Sequence, residues 1–294
     1  MSQDQKTNEI DEITGIETTG HEWDGLKELN NPLPRWWLWI FYGTVIWGLA
    51  YTVAYPAWPM ISQATQGVLG YDSRAEVAER IAEADLAKQP FRDRMAELDF
   101  AQIQADTDLM RFAQLSGAAT FRTYCSQCHG AGGAGFPGYA NLTDDAWLWG
   151  GTIEDIHLTI KHGIRVEEDY DSRFGEMPAF GRDEILEDDA IAQVVEYVLQ
   201  ISDQGHDAAL AGPGAEVFEI ECSSCHGEDA KGLIELGAPN LTDPIWLYGG
   251  TREILMETLV NGRAGMMPAW TGRLSEAQIR EVALYVHAAL GGGE

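Results

Sequence analysis

One long apolar stretch separates a short polar beginning of the chain from a much longer, patterned remainder. No charged residue occurs from Trp36 to Tyr71. Residues 35–58 are long enough to cross a hydrocarbon layer of about 30 Å as one helix, and Pro56 and Pro59 are expected to end it. Aromatic residues stand at both ends, as they do at membrane interfaces. A cleaved signal peptide is disfavoured, because it has a shorter apolar core and a basic start. The pattern therefore predicts a transmembrane helix over residues 35–58.

The segment before this helix is polar and acidic. Residues 1–34 are expected to form a cytoplasmic N-terminal tail, and its first dozen or so residues are predicted to be disordered. Pro32 and Pro34 favour an extended approach to the membrane, because proline restricts its own backbone and that of the residue before it.

The segment after the helix predicts a helical, charged linker over residues 59–110. Ser73 and Glu76 have the spacing of an N-terminal capping box. Pro90 is expected to divide the linker into two helices. Apolar residues are sparse in it, which favours a surface-lying spacer or a docking surface over a core; they include Val77, Ile81 and Leu86.

From about residue 111 onward the chain contains one module twice, which predicts one domain over residues 111–203 and a second over 204–294. Residues 141–151 match residues 240–250 almost position by position. A threonine then begins a short helix in each copy, and an apolar helix closes each copy. These features are Thr152 and Thr251, and residues 194–198 and 282–286.

Each module carries the pentapeptide C-x-x-C-H. The two copies hold all four cysteines of the chain, and their residues are Cys125, Cys128 and His129, and Cys222, Cys225 and His226. Thiols at this spacing can add to the vinyl groups of one haem, and the adjoining histidine reaches the iron from one face. The alternatives are a redox dithiol, a disulfide or half of a zinc site. A histidine behind the second cysteine in both copies favours two covalently bound c-type haems.

The second axial ligand of each iron is expected from a Met-Pro loop. Met177 and Met267 each stand in the context Met-Pro-Ala-aromatic. We expect Met177 to pair with His129 and Met267 to pair with His226, which would make two low-spin centres for electron transfer. A methionine that only packs in an apolar loop is the alternative.

Other candidate ligands compete with these. Met266 adjoins Met267, but the alignment of the two copies selects Met267. His157 and His162 leave open a first haem with two histidine ligands. The remaining histidines are expected on the surface, and they are His21, His206 and His287.

The order of these features resembles that of class I cytochrome c domains. In that fold the last helix crosses the first, and a glycine in the first helix allows the two backbones to approach closely. The resemblance implies that Gly117 meets Tyr197 and that Gly214 meets Tyr285. The expected fold class is therefore all-α, with one N-terminal transmembrane helix followed by two tandem class I cytochrome c domains.

The net charge of the chain limits the classes of partner that it can bind. The net charge of −28 excludes nucleic acid, whose phosphates would repel the protein, and it favours a partner with a basic face. Residues 165–174 of the first module have no counterpart in the second and carry four acidic side chains. This acidic loop would suit a basic partner, and an ordinary solvated loop is the alternative.

The order of features along nearly the whole chain is similar to that of one family in particular. The stretch Asn-Pro-Leu-Pro-Arg-Trp-Trp at residues 31–37, one aromatic span ending in Tyr-Pro-Ala-Trp-Pro, and two cytochrome c modules resemble the diheme subunit (subunit III, the CcoP/FixP family) of cbb₃-type cytochrome c oxidases. The likeness runs from about residue 21 to residue 290.

This resemblance implies a role in aerobic respiration. The chain would take electrons from a soluble or membrane-bound cytochrome c and pass them toward the monohaem cytochrome c subunit and the catalytic haem-copper subunit. Oxygen would be reduced in that other chain, so this one would be an electron-transfer subunit. The rivals are an anchored diheme cytochrome of a periplasmic dehydrogenase, a diheme peroxidase, and an assembly factor or sensor.

Haem attachment also predicts the orientation of the chain. In bacteria it occurs outside the inner membrane, so residues after 58 are expected in the periplasm and the tail in the cytoplasm. Lys27 and Arg35 closely precede the span and only Arg74 closely follows it, which agrees with this orientation. We therefore expect a single-pass protein of the bacterial inner membrane, in contact with its lipid.

Overall fold

The computed structural model describes residues 9–291, and these are mostly helical. It divides into a unit that ends at Leu86 and a unit that begins at Ala87. The elements, in chain order, are β1 (Thr18–Trp23), β2 (Leu26–Leu29), α1 (Arg35–Ala54), α2 (Ser73–Glu97), α3 (Phe100–Ala105), α4 (Thr107–Tyr124), α5 (Ser126–His129), α6 (Ile153–His162), α7 (Asp188–Ile201), α8 (Ala208–Glu221), α9 (Ser223–His226), a 3₁₀ turn (Ile234–Leu236), α10 (Arg252–Asn261) and α11 (Glu276–Ala289).

The N-terminal tail contains a β-hairpin that the all-α prediction missed. Strands β1 and β2 pair antiparallel, and Asp24 and Gly25 between them both have positive φ, 48° and 86°. An Asp-Gly pair is the sequence signal of such a tight turn. The expected disorder falls partly on residues 1–8, outside the described residues, but Ile10 already forms a β-bridge with Glu17.

Helix α1 is long and apolar enough to cross a membrane, with 20 residues and none of its apolar window buried. The extended backbone of Pro34, with φ −56° and ψ 136°, leads into it as expected. The helix is shorter than the predicted span over residues 35–58, because Tyr55 precedes Pro56 and takes an extended conformation. Backbone N–H groups of Val68 and Leu69 then fold back to bond carbonyls of its last turn, at 2.9 and 3.1 Å.

Helix α2 corrects two predictions about the linker. It runs through Pro90 without a break, because Met95 beyond the proline is fully buried and the Phe91 ring stacks on Phe112 at 4.7 Å. This packing offsets the lost backbone hydrogen bond. The helix is capped by Asp72 rather than by the predicted Ser73, since the Asp72 carboxylate accepts from two N–H groups of the first turn.

The C-terminal unit is built on two crossed helix pairs, and neither pair lies within one sequence repeat. Helix α4 packs against α11, and α7 packs against α8. The prediction that Gly117 meets Tyr197 and Gly214 meets Tyr285 is therefore wrong: Gly117 lies against Tyr285, and Gly214 lies against Tyr197. Only residues 202–207 separate α7 from α8, and helices joined by so short a link pack as antiparallel neighbours.

Each of the two main cores combines both repeats. The first core joins α4 and α6 of the first repeat to α11 of the second, and its buried residues are Phe121, Ile156, Ile160, Leu274, Ile279, Val282, Ala283 and Val286. The second core joins α7 of the first repeat to α8 and α10 of the second, and it includes Phe180, Ile191, Val194, Val195, Val198, Leu199, Phe218, Leu255 and Leu259. The predicted boundary between residues 203 and 204 therefore does not separate two compact bodies.

Candidate functional site: two interleaved Cys-His-Met clusters

Both C-x-x-C-H motifs form one short helical turn behind a longer helix. Cys125 directly follows helix α4 and α5 carries the rest of the first motif, while Cys222 directly follows α8 and α9 carries the rest of the second. The histidine N–H bonds the carbonyl of the first cysteine at 2.9 Å in both motifs. Because this bond closes one helical turn, it brings the first cysteine and the histidine near one another. None of the four cysteines is in a disulfide.

The imidazole of each motif histidine is oriented by one backbone carbonyl. Nδ1 of His129 lies 2.9 Å from the carbonyl oxygen of Ala140, and Nδ1 of His226 lies 3.0 Å from that of Pro239. With Nδ1 as the donor, Nε2 is left unprotonated and able to bind a metal. Burial lowers the pKa of both histidines below 6.5, so both rings are neutral at neutral pH, as a metal ligand must be.

The first thiol of each motif packs on an apolar core, whereas Cys128 is exposed. Burial raises the pKa of the Cys125 thiol to about 11 and that of the Cys222 thiol to about 11. Redox dithiols and zinc-binding thiols instead need an environment that favours the thiolate. The environment of these two cysteines therefore fits a thioether link to a cofactor better than it fits those alternatives.

The structure exchanges the methionines between the two motifs. Met267 packs on the first core beside Cys125, and Met177 packs on the second core beside Cys222. The expected pairing of Met177 with His129 and of Met267 with His226 is therefore wrong. Sequence proximity suggested it, but the repeat leaves the choice of partner open, because both copies offer chemically equivalent segments. The neighbouring Met266 is 69% exposed, which agrees with the choice of Met267.

Backbone pairing holds each methionine in its exchanged place. Met177 and Arg263 exchange two N–H···O bonds, both of 2.9 Å, and Met267 and Ile164 exchange two of 3.2 and 2.9 Å. Ile164 and Arg263 follow the glycines that end helices α6 and α10. Each Met-Pro loop is thus held against the end of the other repeat's helix.

Two aromatic residues lie between the cores, and sequence analysis did not single them out. Trp149 of the first repeat is buried and lies against Gly237 of the second, whose φ is +61° and where an added Cβ would overlap the indole. Tyr248 lies against Gly138, with 3.2 Å to a Cβ placed there, and under the Arg263 guanidinium at 4.5 Å. They occupy matching positions after the Trp-Leu pair of each repeat, which is the signal that could have identified them.

His157 and His162, the histidines that could compete with the methionines as second ligands, both contact carboxylates instead. Nε2 of His157 lies 2.8 Å from Glu276, and Nδ1 of His162 lies 2.9 Å from Asp169 in the acidic loop. The latter contact lowers the pKa of Asp169. His21 and His206 are exposed as expected, whereas His287 is half-buried.

The chemistry of these donor sets fits a covalently bound haem. Each cluster offers two thiols, a neutral imidazole with Nε2 available, and a thioether, and the first thiol and the thioether pack on the apolar core. Imidazole and thioether are the axial ligands of electron-carrying c-type haems. The first cluster offers His129 and Met267 for this role, and the second offers His226 and Met177.

Comparisons with known proteins agree with these features along the whole chain. A family model described as the N-terminal domain of FixP, of cytochrome oxidase-cbb₃, matches residues 15–62. A second, described as subunit III of cbb₃-type cytochrome c oxidase, matches residues 113–198 and 209–286.

Curated relatives are similar over nearly their full lengths. The cbb₃-type cytochrome c oxidase subunit CcoP of Cereibacter sphaeroides is 54% identical over 94% of this chain and 95% of its own length. The CcoP subunit of Rhodobacter capsulatus is 52% identical over 95% and 97%. The FixP subunit of Rhizobium meliloti is 45% identical over 98% and 99%.

Proposed function

The chain belongs to the family of subunit III of cbb₃-type cytochrome c oxidases, and from this premise we propose that it relays electrons through two covalently bound haems. The family makes it a cytochrome c subunit of the oxidase that carries c-type haem. The relay runs from a cytochrome c donor to the monohaem subunit and the catalytic haem-copper subunit, and oxygen is reduced in the latter. The relatives are named as oxidase subunits, so the dehydrogenase, peroxidase and sensor alternatives have no support from them.

The observation that carries this proposal is the pair of complete donor sets in one compact unit. In the first set Cys125 and Cys128 would hold the haem through thioether links, and in the second Cys222 and Cys225 would do so. His129 and Met267 would bind the iron in the first set, and His226 and Met177 would bind it in the second. This crosswise assignment is supported by the packing of each methionine on the core of the other repeat's motif.

When bound, haem supplies an iron that accepts and donates one electron at a time, and the protein supplies its surroundings. The carbonyls of Ala140 and Pro239 hold the proton on Nδ1 of the two histidines, which keeps the rings aimed and basic. Thioether ligands raise the reduction potential relative to nitrogen ligands. The apolar cores exclude water, which also favours the reduced, less charged site.

Two aromatic side chains join the two repeats within the C-terminal unit. Trp149 of the first repeat lies against Gly237 of the second, and Tyr248 of the second lies against Gly138 of the first. These direct contacts support a short path for electrons between the two repeats.

The proposed location is the bacterial inner membrane. Helix α1 is the anchor, with the tail in the cytoplasm and the haem-carrying unit in the periplasm. The apolar length of α1 and the membrane-bound oxidase to which the relatives belong support it. The orientation of the chain follows from haem attachment, because haem is joined to C-x-x-C-H outside this membrane.

Removal of one haem at a time from the assembled oxidase tests the relay. We expect Cys125→Ser with Cys128→Ser, and separately the same change at Cys222 and Cys225, to abolish oxidation of reduced cytochrome c. Oxygen consumption with a small artificial donor that reduces the catalytic subunit directly should persist. The exposed Gln127→Ala change within the first motif is the control, since it keeps both thiols. Cytochrome c oxidation at the control rate in either thiol variant would show that the missing haem is not part of the relay.

A further inference from the structure

The two methionine loops meet at one place in the C-terminal unit, where segments of both repeats pair. Ile164 forms bridges with both Arg173 and Met267, and Met177 forms a bridge with Arg263. The segment that follows α6 therefore touches both the beginning of its own Met-Pro loop and the loop of the other repeat. A side chain placed here is able to contact both loops at once.

Arg165 occupies that place. Its Nε donates to the carbonyl oxygen of Gly265 at 2.7 Å, its Nη2 donates to the same carbonyl, and its Nη1 donates to the carbonyl of Gly175. The two glycines are equivalent in the repeat, and each stands two residues before its methionine. One guanidinium thus bonds matching positions of both Met-Pro loops.

The internal repeat shows that this residue is singular. Arg165 opens the segment that the second repeat lacks, and the second residue after the equivalent Gly262 is Ala264 rather than an arginine. A single arginine therefore bonds both Met-Pro loops, and the second repeat has no arginine at the equivalent place. A planar guanidinium suits the task, because it presents several N–H groups in a fixed fork.

The backbone conformation and the partial burial of Arg165 are both unfavourable by themselves. Its φ is +57°, a left-handed conformation that is unfavourable for a non-glycine residue. Burial lowers its pKa, and the group remains protonated because arginine titrates far above neutral pH. Such a strained and partly desolvated cation needs compensation, and here it comes from the two carbonyls.

We propose that Arg165 is a positioning residue that clamps both methionine loops, so that both haem irons keep their thioether ligands together. The inference rests on the proposed function, because it takes Met177 and Met267 as the ligands. The inference goes beyond the proposed function because it couples the two centres. A substitution at this one side chain is expected to change methionine ligation at both haems. Without the clamp, each loop is held only by its backbone pairing, and each thioether leaves the iron more often.

The test uses the purified full-length chain in detergent, with the two haems resolved by variants that keep only one motif. The readouts are the long-wavelength absorption band of methionine-ligated ferric haem, the reduction potential and the rate of carbon monoxide binding. We expect Arg165→Gln to weaken the band, lower the potential and speed carbon monoxide binding several-fold at both haems. Arg165→Lys, which keeps the charge but loses the fork, should show a smaller change of the same kind.

Two arginine controls separate a clamp from a general effect of charge. Arg80→Gln removes the same charge from an exposed side chain of α2 paired with Glu76, and it should leave both haems unchanged. Arg263→Gln removes contacts with Tyr248 and Glu257 of the second core, and it should change only the haem of Met177.

The outcomes are distinct. A change at only one haem, or at neither, in Arg165→Gln or in Arg165→Lys overturns the clamp. If Met177→Ala and Met267→Ala remove the band while the Arg165 variants do not, the ligation of the proposed function stands and the clamp alone fails. If the methionine variants leave the band intact, the proposed ligation fails first.

Discussion

Gly117 in α4 lies directly against Tyr285 in α11, near the far end of the chain. A Cβ added to Gly117 would lie 2.7 Å from the Cβ of Tyr285 and would overlap the backbone oxygen of Glu281. The ring of Tyr285 in turn packs on Phe121 at 5.6 Å between centroids. This crossing joins the helix that leads into the first motif to the helix that ends the second repeat, so it places Cys125 and Met267 on the same core.

The crossing should not tolerate a single methyl group. Gly117→Ala is expected to lower the free energy of unfolding by about 1–3 kcal/mol, because the added carbon overlaps backbone and the helices must separate. In an isolated helix the change from glycine to alanine would stabilise the helix by about 1 kcal/mol. A loss of stability in Gly117→Ala would therefore report the close helix contact and not helix propensity. Chemical denaturation followed by the haem absorbance measures it.

Two further glycine variants provide a second test and a control for Gly117→Ala. Gly214→Ala should be equally damaging, since its Cβ would overlap the carbonyl of Gln193 and lie 3.0 Å from Tyr197. Gly205→Ala, in the link before α8, has no atom within 4 Å of its added Cβ and should change stability by less than about 0.5 kcal/mol. Stability unchanged in Gly117→Ala would contradict the close crossing.

The crosswise ligation predicts which methionine controls which haem. In a chain that keeps only the first motif, Met267→His should lower the haem potential, because a nitrogen ligand favours ferric iron. Met177→His in the same background should leave the potential near that of its parent. A redox titration monitored by absorbance gives both values.

The reciprocal background serves as the control. When only the second motif is kept, Met177→His should lower the potential and Met267→His should not. If each methionine instead governed the haem of its own repeat, the exchanged packing would not describe the protein.

The second core is contiguous in sequence, although it is not a repeat. Residues 174–264 contain the Met177 loop, α7, α8, the second motif and α10. This fragment, matured with haem in the periplasm, is expected to fold and to show the absorption band of methionine-ligated ferric haem. The same fragment with Met177→Ala is the matched control and should lack the band. A parent fragment without the band would argue against His226 and Met177 as partners.

A buried ion pair across the repeats predicts a dependence on pH. Nε of Arg252 donates to Glu196 at 2.5 Å, and the N–H of Asp207 donates to the same carboxylate at 2.6 Å. The hydrogen bond from Arg252, opposed by burial, holds the pKa of Glu196 below its ordinary value of 4.5. The lowered pKa means that its stabilisation is present above pH 4.5 and is lost as the pH falls through the folded-state value.

Glu196→Gln should therefore be less stable than the parent by about 1–2 kcal/mol at neutral pH. The difference should shrink once the pH falls below 4.5, where the parent also loses the charge. Thermal unfolding at a series of pH values measures this, with the exposed Glu216→Gln as the control. A difference that stays constant into acid would show that the charge of Glu196 is not what stabilises the second core.

Local sequence was sufficient for most of the features that depend on neighbouring residues. The motifs, the threonines that cap α6 and α10, and the helix α1 were predicted because their causes lie within a few residues. The hairpin at Asp24 and Gly25 was missed although its turn signal was present. The helix through Pro90 could not be predicted, since the packing that outweighs the proline lies in α4 and the buried Met95.

The amino-acid sequence by itself determined the ligand types, two cysteine pairs with His129 and His226, two Met-Pro loops, and a membrane anchor. Only the tertiary structure decided that Met267 lies with the first motif and Met177 with the second. The physical reason is that the repeat makes the two partners of each motif nearly equivalent in local chemistry. The choice between them rests on contacts between distant segments: the short link between α7 and α8, the close approach at Gly117, and the bonds of Arg165 to both loops.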